Sequence, residues 1–307
     1  MMFAPRHLRL AAFLAAASVM TAGANAQVDG PLYTGHAIPG STGFESSLKP
    51  PRGVSYENLL YLYNSEIERD RDGNETGSGG SVRHASNHFS IVWGSPWKIF
   101  GGDYAMKGVL GLGNGAPNAR SLDAGNRGFK LLDTYIEPFS LHWPGETGWA
   151  TLKAGYWFDT GDFEAGNLNS SGKGFQTFEL AFGFTYYPYK ERRWHLSTMT
   201  RWGQHSKVDG LDLRPGDDIV IDWSFGKHLN DRWNAGLVGY GVWQTSRDKG
   251  ADANVEIGFY GVAALGLGAR YELPDWGGHA EVRVYQEFNA FNHTEGQAGL
   301  LALSFRL

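Results

Sequence analysis

Three stretches carry side chains that could do chemistry. His84-Ala85-Ser86-Asn87 sets an imidazole two residues from a hydroxyl, the pairing in which a base activates a serine toward an ester. Asp70-Arg71-Asp72-Gly73-Asn74-Glu75 echoes a calcium loop. Its glycine is misplaced, however, and no Glu closes it with a bidentate carboxylate, so it reads as a solvated loop. Gly111-Leu112-Gly113-Asn114-Gly115 has the glycines of a phosphate cradle, but no helical pattern follows to offer an N-terminus. These residues imply neither a metal nor a cofactor. No basic cluster accompanies a reading motif, so nucleic acid is not an expected partner.

The elements that must position such residues are strands. In Phe175–Tyr187 the even positions Phe178, Leu180, Phe182, Phe184 and Tyr186 oppose Thr177, Glu179, Ala181, Gly183 and Thr185. Successive side chains of a strand point to opposite faces, giving one face of Leu and aromatics and one that is polar or small. The same split recurs in Asp218–Leu229, His279–Phe291 and Gln297–Leu307. About twelve such runs follow Gly53, most of them long enough for the roughly 9–11 residues that cross a bilayer tilted. Helical periodicity is absent after the N-terminus. The breaks alternate in length: Glu68–Ser81, Gly113–Gly128, Thr160–Gly174, Lys207–Asp217 and Arg247–Glu256 are long, whereas Pro144–Gly148, Pro188–Arg193, Asn230–Arg232 and Pro274–Gly278 are short. Gly94–Asp103 is intermediate, and Asn292–Gly296 is an outer break as short as a turn. Short periplasmic turns and longer outer loops are the habit of outer-membrane barrels.

Composition agrees. Of 307 residues 43 are Gly, none is Cys and 14% are aromatic, which suits a barrel with an apolar outer band and a wet interior. Residues 1–26 read as a cleaved signal peptide: Arg6, His7 and Arg9 precede an apolar run from Leu10 to Met20 and Ala24-Asn25-Ala26. Without Arg6 and Arg9, 25 of the 27 basic residues face 32 acidic ones, a net of −7. Residues 27–52, with Pro39-Gly40 and Pro50-Pro51, have no sustained period and read as an irregular segment, periplasmic or in the barrel mouth. The barrel is residues 53–307. Two details strain the pattern. Pro138 sits inside a strand, where a bulge is expected, and Leu59-Leu60-Tyr61-Leu62-Tyr63 is apolar on both faces, as if its inner face packed on the N-terminal segment.

Amphipathic aromatics cluster at strand ends. Trp143, Trp149, Trp194, Trp233 and Trp276 lie near the short turns and Trp157, Trp202 and Trp243 toward the opposite ends, which predicts two interfacial girdles. Parity predicts a lumen lined by Lys153, Glu179, His195, Arg201, Asp222, Glu281, Arg283, Glu287 and Arg306. A set mixed in sign implies little charge selectivity or internal pairing, and twelve strands leave only a narrow bore.

From Gly53 to Leu307 the chain resembles the outer-membrane channel-like family named after the phenol degradation meta-pathway protein. His88–Tyr104 (HFSIVWGSPWKIFGGDY), Asp133–Trp143 (DTYIEPFSLHW) and Pro215–Asp248 carry the resemblance. It implies a barrel passing small hydrophobic or aromatic compounds, with no catalytic residues to carry over. The His84–Ser86 tract separately resembles the nucleophile strand of outer-membrane phospholipases and lipid A deacylases. Those enzymes present their catalytic pair to the bilayer, whereas Ala85, Phe89, Ile91 and Trp93 form the apolar face here and leave His84, Ser86, His88 and Ser90 inward. The expectation is therefore an all-β transmembrane antiparallel barrel of about 12 strands in the bacterial outer membrane. It would touch phospholipid and lipopolysaccharide outside and pass a small solute by passive diffusion. The alternatives are a lipid hydrolase using Ser86 and His84, or a structural or adhesive barrel.

Overall fold

The computed structural model describes residues 33–77, 82–114, 128–165, 167, 170–254 and 258–307. The signal peptide expected over 1–26 lies outside the described residues, as do positions 27–32 and Gly115. The strands are β1 (Gly53–Arg69), β2 (Val82–Ile99), β3 (Gly102–Gly113), a two-residue β4 (Lys130–Leu131), β5 (Thr134–Pro144), β6 (Gly148–Phe158), β7 (Thr177–Tyr186), β8 (Trp194–His205), β9 (Asp218–His228), β10 (Trp233–Gln244), β11 (Gly261–Leu273), β12 (Gly278–Phe291) and β13 (His293–Arg306). Each spanning strand pairs antiparallel with its neighbours, and β13 closes on β1 from Ser55↔Arg306 to Arg69↔His293. Twelve strands therefore form a closed antiparallel barrel, and no spanning edge is left with unpaired backbone groups.

Sidedness follows the alternation. In β7 the burial pattern switches at every residue, with Thr177, Glu179, Ala181, Gly183 and Thr185 buried and Phe178, Leu180, Phe182, Phe184 and Tyr186 exposed. Large apolar side chains are thus outside and polar ones inside, the reverse of a soluble core. The outward face continues through Leu237, Leu265, Leu267, Val282 and Val284.

Local departures have local causes. The break expected over Gly94–Asp103 is a correction: β2 runs on to Ile99 past a register shift at Gly94/Lys98 and turns through Phe100 and Gly101 alone. Both turn residues have positive φ, 49° and 78°, the backbone of a two-residue hairpin turn whose twist matches the strands. Pro138 has no N–H for the ladder, and the register shifts between Ile136 and Phe139 on one side and Ala105 and Lys107 on the other. The Phe129–His142 run divides at Leu132-Asp133 into β4 and β5.

The interior is less wet than composition suggested. Val220, Val238, Val242, Val262, Leu300 and Tyr61 form a buried apolar sector inside the barrel, and Phe44, Ala37 and Ile38 of the N-terminal segment pack against it. This explains why β1 is apolar on both faces: Leu60 and Leu62 face out, and Leu59, Tyr61 and Tyr63 face that segment.

Leu267 is 63% exposed in mid-strand, opposite Leu237 and Val284. Leu267→Arg is expected to lower folding stability in lipid vesicles by about 2–4 kcal/mol, read as a shift of the urea midpoint.

Candidate functional site

Residues 33–52 have no strand or helix, so their amides and carbonyls need partners from elsewhere. The barrel wall supplies them along its full height, and this strap runs from the outer end of the lumen to the inner end. At the outer end Gly35 N donates to Asp218 Oδ2 (3.1 Å), and Lys173 Nζ donates to the carbonyls of Thr34 (2.8 Å) and Gly35 (2.6 Å). His36 lies between Asp133 Oδ2 (3.0 Å) and Thr177 Oγ1 (2.7 Å), with its ring stacked on Trp157. At mid-height Asp222 accepts from Gly40 N (2.8 Å), Thr42 N (3.0 Å), Thr42 Oγ1 (2.8 Å) and Arg201 Nη2 (2.7 Å). Arg201 also donates to Ile38 O (2.9 Å) and Ser41 Oγ (2.7 Å), and Arg283 donates to Gly40 O (2.7 Å).

Lower down, Glu281 accepts from Phe44 N (3.2 Å) and from Arg270 Nε (2.7 Å), while Arg270 also donates to the Phe44 carbonyl. Glu45 accepts from Tyr187 OH (2.6 Å) and faces His228 Nε2 at 3.3 Å and Arg270 Nη1 at 3.4 Å. At the inner end Ser47 bonds Thr185 Oγ1 (3.3 Å) and His142 Nδ1 (3.1 Å), and Lys49 pairs with Asp103 (3.3 Å). Two glycines make the close approach possible. A Cβ on Gly35 or Gly43 would lie 2.0 Å from the carboxylate of Asp218 or Glu281 respectively.

Burial sets the protonation states along the strap. It lowers the His36 pKa to about 4 against the hydrogen bond to Asp133, and lowers Lys173 to about 8 against the charges of Asp218 and Asp133. For Glu45 burial pushes upward but loses to the His228 hydrogen bond, the Arg270 charge and the Tyr187 hydroxyl, leaving a pKa of about 2.

The strap divides the remaining lumen. An outer cavity of about 130 Å³ is lined by His36, Tyr61, Tyr63, Val82, His84, Leu132 and Trp157 among others. An inner one of about 530 Å³ is lined by Glu57, Lys107, Glu137, Lys153, His142 and His279, together with strap residues 41–51.

The structure brings four of the nine expected lumen residues onto the strap rather than around open space. Arg201, Asp222, Glu281 and Arg283 bind it as described. Glu287 accepts from Tyr63 OH (2.7 Å), Tyr240 OH (2.8 Å) and Gly296 N (2.7 Å), and Glu179 from Tyr135 OH (3.0 Å) and Trp157 Nε1 (3.2 Å). Lys153 pairs with Glu137 at 3.5 Å beside the inner cavity, His195 contacts Asn234 at 2.8 Å, and Arg306 is exposed at the inner rim.

Trp157 requires a correction. It shares the parity of Thr151 and Gly155, is buried within the lumen and stacks on His36, so it is no girdle residue. Trp149 has that same parity and sits half-exposed at the inner rim. Trp143, Trp194, Trp202, Trp233, Trp243 and Trp276 are at strand ends or turns on the other parity or outside the strands, and Trp93, Trp97 and Tyr104 add an inner-end cluster not foreseen.

His84 and Ser86 are buried and inward, as parity indicated, but the imidazole touching Ser86 Oγ is His88 Nε2 at 2.9 Å. The pair is walled off from the bilayer. The carboxylate of Asp70 accepts from the amides of Asp72 (2.9 Å) and Asn74 (2.8 Å) and so shapes its own loop. Sequence reasoning missed His36, Glu45, Asp133 and Lys173, which lie in the strap and in loops where no period marks an inward side. The one available signal was the apolar inner face of β1, which calls for a partner.

Fold and interior together define an outer-membrane β-barrel filled by its own N-terminal strap. Residues 68–303 match the family described as "Putative MetA-pathway of phenol degradation", and the chain belongs to that family. Among solved structures the COG4313 outer membrane channel from Pseudomonas putida F1 is similar, with a TM-score of 0.71 at 9% identity over 88% of this chain and 99% of that one. The translocator domain of autotransporter NalP from Neisseria meningitidis matches with a TM-score of 0.50 at 12% identity, covering 84% of this chain and 90% of that one. No curated protein matches the sequence.

Two outcomes follow. Asp222→Ala removes three strap contacts and leaves Arg201 without its carboxylate, so docking of the strap is expected to weaken by about 3–5 kcal/mol; amide-exchange protection over residues 38–44 is the measurement. Because the docked state holds His36 at about 4 rather than 6.5, it binds fewer protons than the released state within that window. Docking is then expected to lose stability as pH falls from 6.5 to 4, read as falling protection factors over residues 34–38, with the loss smaller in His36→Gln.

Proposed function

We propose that the barrel passes small hydrophobic or aromatic solutes across the outer membrane by passive diffusion, without catalysis. The observation that carries this reading is the outer cavity. Its walls bear Tyr61, Tyr63, Trp157 and the His36 ring, and its volume is about 130 Å³. An apolar protein cavity of about 150 Å³ accommodates benzene, so the space matches one aromatic ring with polar groups at its margin, as ligand sites usually have. The similar structure from Pseudomonas putida F1 is an outer membrane channel, and the family is described by phenol degradation. Both support a solute of this class.

The proposed route enters between the outer loops, pauses in the ring-sized cavity and continues through the inner cavity once the strap shifts. In this reading Lys153, Glu137, Lys107 and Glu57 contact solute and water in the inner cavity, while Arg201, Asp222, Glu281 and Arg283 hold the strap. The outward Leu and Phe band meets phospholipid, and Trp202 and Trp243 sit at the level of the lipopolysaccharide leaflet. Hydrolysis is disfavoured because Ser86 lies within the lumen beside His88, where an ester of the outer leaflet does not reach.

Val82 lines the outer cavity and is buried. Cells in which the gene is deleted should take up a monoaromatic compound slowly at low concentration, with uptake restored by the wild-type gene. Val82→Trp, which fills the cavity, is expected to reduce that uptake by roughly tenfold, the equivalent of about 1.4 kcal/mol. Uptake indifferent to both the deletion and the filling substitution would remove the solute-channel reading.

A further inference from the structure

Near the inner end of the lumen, three side chains from three elements converge on one point. Glu45 comes from the strap, His195 from the start of β8 and His228 from the end of β9, and one ligand atom of each lies within 4.8 Å of the others. His228 Nε2 is 3.3 Å from Glu45 Oε1, and the two imidazole rings are 5.5 Å apart between centroids. His195 is fully buried. Its Nε2 lies 2.8 Å from the Asn234 side-chain amide, and its Nδ1 has no hydrogen-bond partner.

That arrangement is the one a metal-ligating imidazole needs. An outer partner on one ring nitrogen fixes the tautomer and leaves the other lone pair directed at the ion. Asn234 Oδ1 is likewise unpartnered. Turning the amide over, an exchange of near-identical atoms, would let its carbonyl accept from Nε2–H and leave Nδ1 bare. The ring fits because position 226, paired with His195, is glycine: a Cβ there would lie 2.4 Å from the imidazole. Phe44 and Tyr187 stand edge-on to the same ring and wall it off. Local charge also favours a cation. Glu45, Glu272 and Glu281 outnumber Arg270 and Arg283, and Arg270 divides its guanidinium between Glu45 and Glu281.

We propose that Glu45, His195 and His228 form a binding site for a first-row divalent transition metal, which latches the strap to the barrel wall. Two imidazoles and a carboxylate suit Zn²⁺, Ni²⁺, Cu²⁺ or Fe²⁺ rather than Ca²⁺ or Mg²⁺, and three protein ligands leave a fourth position to water. The ion takes its carboxylate from the strap and both imidazoles from the wall, so it binds the docked state alone and stabilises it by mass action. Glu45 reaches the wall from a left-handed backbone conformation, φ 55°, and the ion would hold it there. The site deepens the reading of the strap as a movable element but does not depend on which solute passes.

The test uses the full mature chain, refolded without a polyhistidine tag in detergent micelles, with barrel closure checked by heat-modifiable gel migration. Isothermal titration with Zn²⁺ should give one ion per barrel, and Co²⁺ should give the visible absorption of a low-coordinate nitrogen and oxygen site. His228→Ala and Glu45→Gln, the less disruptive substitutions, should each raise Kd by roughly 100-fold or more, beyond what outer partners alone are worth. His195→Ala should abolish the Co²⁺ spectrum. Exchange protection over residues 42–48 should rise with Zn²⁺ in the wild type and stay flat in His228→Ala. Absence of one-to-one binding, or binding that survives these substitutions, would mean an adventitious ion only and overturn the site. Specific binding with no change in protection would overturn the latch. Neither readout involves solute transport, so failure of the channel reading would leave this result standing, and the reverse.

Discussion

Asp222 is the point on which the interior depends. A carboxylate buried in a barrel is tolerable only when its charge is answered and its lone pairs filled. Here Arg201 answers the charge at 2.7 Å, and two backbone amides and a hydroxyl of the strap fill the rest. The dependence runs both ways. Gly40 and Thr42 belong to no regular structure, and their amides are satisfied because the Asp222 carboxylate stands opposite them. Glu281 repeats the arrangement one step further down, with Arg270 and Arg283 as counter-charges and Phe44 N as the backbone donor. Charges that look like channel lining in a list of inward residues are in fact the partners of a peptide.

The same accounting governs the wall. Within a bilayer no water is present to satisfy a strand edge, so closure between β1 and β13 is what makes the sheet admissible there. Closure fixes parity around the ring, and parity decides which faces meet lipid and which meet the strap. Local exceptions occur where the ladder loses a donor, as at Pro138, or where the chain must reverse direction, as at Phe100-Gly101. They stay confined to two or three residues because the hydrogen bonds on both sides restore register.

What could be read from the sequence follows this division. Alternation in β7, β9, β12 and β13 was visible because lipid demands Leu and Phe at every second position, and the long and short breaks were visible because turns and outer loops differ in length. Pairing partners inside the lumen were not. The strap has no period, so nothing in Gln27–Arg52 said that Gly35, Gly40 and Phe44 would meet Asp218, Asp222 and Glu281 from nearly two hundred residues away or more. Trp157 was misread for a related reason. Its position near a strand end matched an interfacial residue, but its parity with Thr151 and Gly155 turned it inward, and parity outranks height along the strand. His84 and Ser86 lie inward as their parity indicates, and His88, on the same inward face and equally spaced from Ser86, is the imidazole that reaches the hydroxyl.

A strap held this way constrains how anything can pass. The outer cavity is lined by strap residues 34–39 and the inner one by strap residues 38, 41–46 and 48–51; one peptide therefore borders both spaces. Releasing all of it would break several charge-assisted hydrogen bonds together, each contributing roughly 1.5–3 kcal/mol, and would leave Asp222 and Glu281 facing solvent. A shift of one end is far less costly, because the contacts of Gly35 and His36 are separated from those of Glu45 and Ser47 by the Asp222 anchor. For the proposed channel, this geometry favours a strap that yields at its ends and stays pinned at mid-height by Asp222.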